Sequence, residues 1–140
     1  MQSPKIGTYS PSHQVSRFEF YILSKGLNSG KPLTTPCPNS FVCICQNDEE
    51  KDFYFWLFFG LWKAKHFQQF LCGSVIPFIR LHELKKEITT QAQQVGKCHQ
   101  AYTKTIEQVK QLEQKEKVIL QNLTAINHLK RAMILQHFKG

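Results

Sequence analysis

The cysteines are the first residues whose spacing could support chemistry. Cys43 and Cys45 lie two apart in "SFVCICQ", so a strand there turns both thiols to one side. With Cys37 nearby they offer thiolate ligands. Zinc needs a second ligand pair at suitable spacing, and His66, His82, Cys98 and His99 do not supply one. The cysteines are therefore expected to act as small buried hydrophobes, and no metal is expected. "GLNSGK", Gly26 to Lys31, suggests a phosphate loop at first sight. Its two glycines are one residue too close for GxxxxGK[ST], and Pro32 stands where the Ser/Thr belongs and removes a backbone donor. The segment is either a plain turn or a loop that offers Lys25, Asn28, Ser29 and Lys31 to a phosphodiester backbone. Ser74 in "GSV" has no base identifiable beside it. No G-x-S-x-G or H-E-x-x-H occurs, and the acids at 48–52 are explained by helix capping. Neither catalysis nor a cofactor is expected.

Two further groups suit a nucleic acid. Arg80, His82, Lys85 and Lys86 form a basic cluster, which is ordinarily a solvated face. With Lys63 and Lys65 they make one basic surface if the element ends that carry them lie on the same side. Phe53, Tyr54, Phe55, Trp56, Phe58, Phe59 and Trp62 are residues on which bases can stack. At helical spacing most of them belong to a core instead.

These residues need elements to hold them. Residues 1–15 read as irregular. "RFEFYILS", residues 17–24, reads as a strand, and the Gly- and Pro-rich stretch after it as a loop. Residues 40–46 form a second strand, apolar on both faces and so central. Asn47 or Asp48 caps a helix expected over about 49–71, with Gly60 interrupting it. A short third strand is expected at 74–79, and a further turn or helix from Leu81 to Ile88. From Gln91 to Phe138 there is no Pro. There Val109, Leu112, Ile119, Leu123, Ile126 and Met133 fall on a heptad register, with Glu116 and Lys130 breaking one core position. This reads as one long helix or a helical hairpin that must bury its stripe on a partner. The fold class is α+β: a small mixed sheet with an aromatic-rich helix, followed by a long C-terminal helix or helical hairpin. The expected division is a compact domain over 1–90 and a helical segment over 91–140.

The chain of 140 residues is 41% hydrophobic, enough for a core, and its net charge of +8 suits an acidic partner. The excess lies after residue 52, because the first 52 residues carry equal numbers of acids and bases. The apolar run from Phe53 to Trp62 is too short to span a bilayer, so no membrane association is expected. The opening "MQSPKIGTYSPSH" has no apolar h-region, and reduced thiols in a cytoplasm are expected.

The phrases "ILSKGLNSGKP" and "GSVIPF" resemble a family of short bacterial proteins without an assigned activity. More distantly, the order of features resembles part of a target-recognition domain and its trailing helix. That domain comes from the DNA-specificity subunit of type I restriction–modification enzymes. The similarity rests on Phe67-Gln68, Gly73-Ser74, Ile76-Pro77-Phe78-Ile79, Leu84 and Leu129-Lys130, and covers about residues 20–138. It implies double-stranded DNA as partner, no intrinsic catalysis and helix-mediated pairing, with a homodimer replacing the missing second half. The Pro-rich connector of those subunits is absent, since residues 87–95 read "EITTQAQQV". On this reading Lys25, Asn28, Ser29, Lys31, Ser74, Arg80, His82, Lys85 and Lys86 face DNA. Val109, Leu112, Ile119, Leu123, Ile126 and Met133 form the helix interface. The alternative is an adaptor that uses the helix without DNA.

Overall fold

The computed structural model describes residues 3–138. The chain divides into two compact units, one ending at Lys97 and the other beginning at Cys98. The first unit holds four strands: β1 (Lys5–Thr8), β2 (Glu19–Leu23), β3 (Pro32–Leu33) and β4 (Ser40–Ile44). They form one sheet in the order β1-β4-β2-β3. The α+β class holds, and the mixed sheet narrows to one that is antiparallel at every pairing. β4 is central, as its apolar run implies, β2 is central beside it, and both are covered on two faces. β1 arises in a segment expected to be irregular. Its Gly7 pairs with Val42, and only Ile6 of the strand is buried, so four polar-rich residues at an edge gave no alternating signal.

No strand forms over 74–79. Cys72 and Phe78 instead make an isolated antiparallel bridge. The Cys72 N–H donates to the Phe78 carbonyl at 2.8 Å, and the Phe78 N–H donates to the Cys72 carbonyl at 3.0 Å. The residues between them form a closed loop. Gly73 turns it with a φ of +94°, and Pro77 has no N–H to give a ladder.

Helix α1 (Asp48–Lys63) starts where the capping residues place it. Asn47 Oδ1 accepts from the Glu50 N–H at 2.8 Å, and three acids occupy the positive end of the dipole. The helix ends eight residues earlier than expected: Lys65 takes a left-handed φ of 62°, and His66–Phe70 make a 3-10 turn. Gly60 does not interrupt it, and a side chain there would meet nothing within 4 Å. Helix α2 (Leu81–Gly96) closes the first unit. His66 Nε2 lies 2.7 Å from Glu87 Oε1, tying the 3-10 turn to α2.

The core lies between the sheet and these helices. Phe20 sits edge-on to Phe55 and Phe58, and Phe58 stacks on Phe67. Leu84 and Ile88 of α2 are fully buried. The other sheet face holds a polar cluster under the segment before β2. There the buried Glu19 carboxylate accepts from the Tyr21 hydroxyl at 2.7 Å and from the Ser16 N–H, and pairs with His13 Nε2 at 3.0 Å.

The run from Gln91 onward is two helices, because α2 stops at Gly96. Helix α3 (His99–Leu135) is the second unit, 37 residues and about 55 Å long. None of its residues is buried. No helix among the described residues is long and apolar enough to cross a membrane.

Candidate nucleic-acid interface

The turn between β2 and β3 is built from its glycines. Gly26 and Gly30 both take positive φ, near +93° and +97°. The Gly30 N–H donates to Leu23 O, and the Leu23 N–H donates to Lys31 O, so the turn closes directly on the strand. Ser29 is buried, and its hydroxyl donates to Gly26 O at 2.6 Å. That hydroxyl holds the turn and is not offered to a ligand. The turn is also pinned from outside: the Gly26 N–H donates to Pro77 O at 2.7 Å, and the Ile79 N–H donates to Ser24 O at 3.1 Å. The closed loop and the turn therefore form one ridge, with Lys25 and Arg80 exposed on it.

The last turn of α1 meets this ridge. The Trp62 indole N–H donates to Asn28 Oδ1 at 3.3 Å. Lys31 Nζ stands 4.9 Å from the centre of the Trp62 ring, and Lys63 Nζ stands 5.5 Å from it. Each cation gains on the order of 0.5–1 kcal/mol from the ring quadrupole at such a site. Among the described residues, none of Lys25, Lys31, Lys63 and Arg80 is paired with a carboxylate. Asn28, Lys31, Trp62 and Lys63 thus make one small surface. It combines an amide, an aromatic ring and two ammonium groups with uncommitted charge.

The other expected DNA-facing residues fall elsewhere. His82, Lys85 and Lys86 are exposed on α2. Lys85 lines a cleft of about 370 Å³ with Ser3, Pro4, Lys5, Ile6, Ile88 and Thr89. That cleft lies against β1, at the opposite edge of the sheet from β3. Lys85 and the Trp62 cluster thus belong to opposite edges. Ser74 is exposed in the closed loop beside Val75 and Ile76, which are 89% and 62% exposed.

Cys43 and Cys45 are both buried. The neighbouring Cys45 thiol, together with burial, pushes the Cys43 thiol far above its ordinary value. Glu50 lies near the pair. Its side chain is buried, and its Oε1 has no hydrogen-bond partner among the described residues. In the sequence Glu50 is one of the capping acids at 48–52, and nothing local marks its burial. No group of three or more His, Cys, Asp or Glu among the described residues could hold a metal ion. At helical spacing Trp62 reads with the other aromatics as core, and its link to Asn28 spans 34 residues, a separation that leaves no local signal.

On α3, Leu112, Ile119, Leu123, Ile126 and Met133 are each more than half exposed, and Val109 is half-buried. Leu120, Leu129 and Ile134 broaden the same exposed stripe.

A family model described as a family of unknown function (DUF6943) matches residues 6–136. No curated protein and no solved structure matches the chain.

Proposed function

We propose that this chain, which belongs to that family of unknown function, is a non-catalytic DNA-binding protein that works as a pair of chains. The observation that carries the reading is the Trp62 cluster. Lys31 and Lys63 hold their charge beside an indole and an amide, on a ridge that also bears Lys25 and Arg80. Such cations release counterions from a phosphodiester backbone, and Asn28 is a usual phosphate- or base-edge contact. The net charge of +8 favours the encounter. The distant resemblance to type I specificity subunits points the same way, toward recognition without catalysis and pairing through a helix.

Fluorescence anisotropy with a mixed-sequence duplex, titrated at several salt concentrations, tests this. Affinity should fall steeply with salt. An absence of binding at low salt would end the DNA reading.

The exposed stripe of α3 favours a second reading, an adaptor that binds another protein and no DNA. Under that reading Lys31→Ala with Lys63→Ala changes nothing, while Ile119→Asp with Ile126→Asp abolishes association.

A further inference from the structure

The apolar stripe of α3 has two charges set inside it. Leu112, Ile119, Ile126 and Met133 occupy one core position of the heptad, seven residues apart. The other core position reads Val109, Glu116, Leu123 and Lys130. Neither Glu116 nor Lys130 forms an ion pair within the chain among the described residues.

These two residues decide between the ways a second copy can lie on the stripe. Parallel strands in register bring Glu116 against the partner's Glu116 and Lys130 against the partner's Lys130. Both pairs would be like charges in the driest layer of the interface, where repulsion is least screened. An antiparallel alignment centred between Leu123 and Ile126 behaves differently. Leu123 then lies across from the partner's Ile126, and Ile119 from the partner's Lys130. Glu116 lies within one helical turn of the partner's Lys130, and the two-fold axis repeats the contact. All the acids of α3 precede Lys117, so no carboxylate of the same helix follows to neutralise Lys130.

We propose that α3 pairs antiparallel with α3 of a second copy, and that Glu116 of each chain pairs with Lys130 of the other. The two charges that spoil an ideal zipper would then set its direction, as buried polar groups set register in other coiled coils. This rests on the reading that the protein works as a pair.

Sedimentation equilibrium on the full chain tests it, with four proteins: the wild type, Glu116→Lys, Lys130→Glu and the double reversal. Circular dichroism establishes that each is folded. The wild type should be a dimer. Each single reversal turns two attractions into two repulsions and should weaken the dimer about tenfold or more at low salt. The double reversal should restore it to within about threefold. A wild-type dimer indifferent to the single reversals would overturn the antiparallel pairing and leave pairing itself standing. A monomeric wild type would overturn both. Neither result touches the DNA reading, which the anisotropy titration decides separately.

Discussion

A side chain on Gly30 would place its Cβ 2.1 Å from Cδ2 of Phe67, so the β2–β3 turn and that ring are fitted with no room for a methyl group. Phe67 is buried and stacked on Phe58, so the ring has nowhere to retreat. Gly30→Ala also forces a non-glycine residue to a φ near +97°. The variant should lose about 2–4 kcal/mol in urea unfolding. A loss under about 0.5 kcal/mol would show that the turn can shift away.

Glu19 and Glu87 make the first unit sensitive to acid. Burial pulls the Glu19 carboxyl up, but hydrogen bonds from Tyr21, the Ser16 N–H and His13 overcome it and hold the group below its ordinary value. Burial is likewise overcome at Glu87, chiefly by His66 and Gln91. A carboxyl depressed in the folded state contributes stability above its unfolded pKa. That contribution disappears as pH falls through the folded pKa. Thermal midpoints should therefore drop on acidification below the ordinary carboxylate range, and the drop should be shallower for Glu19→Gln. Parallel curves for the two proteins would contradict this account.

Glu50 buries a carboxylate oxygen with no hydrogen-bond partner among the described residues. Glu50→Met keeps the volume and removes the polar atom. Chemical denaturation should show it about 1–2 kcal/mol more stable. A destabilised Glu50→Met protein would mean that the carboxylate is solvated or paired in solution.

Lys31→Ala combined with Lys63→Ala should weaken duplex binding about tenfold at low salt and reduce the salt slope by about two. Trp62 should report the event, since only Trp56 shares the emission. In a Trp56→Phe background, duplex DNA should change the fluorescence of Trp62. If the double Ala protein binds with an unchanged slope, the contacts lie elsewhere, and the α2 face with Lys85 is the next to test.

Every buried side chain among the described residues lies at or before Ile88. A chain ending at Lys97 should therefore keep its near-ultraviolet dichroism and run as a monomer in light scattering. Loss of that signal would show that α3 is needed for folding.

The parts legible in the sequence are those where one local signal dominates. β4 is apolar on both faces, β2 is filled with β-formers, Asn47 and its acids announce α1, and the heptad stripe announces α3. The misread parts needed tertiary information. β1 is an edge whose single buried residue, Ile6, carries no period. Residues 74–79 have strand-like composition, yet Gly73 and Pro77 make them a loop. The basic residues were legible one by one, but their split between Trp62 at one edge and Lys85 near the other depends on strand order. Ser29 looked like a phosphate contact because its burial against Gly26 O cannot be read from composition.

The bridge between Cys72 and Phe78 has a consequence for how this chain can change. Two backbone hydrogen bonds fasten the feet of the loop, while Val75 and Ile76 at its crest are mostly in solvent. Added length at the crest costs only loop entropy, which grows slowly with residue number. A short peptide inserted between Val75 and Ile76 would be carried outward on closed feet. This is where the first unit can host foreign sequence, such as an epitope or a probe, without reopening its core.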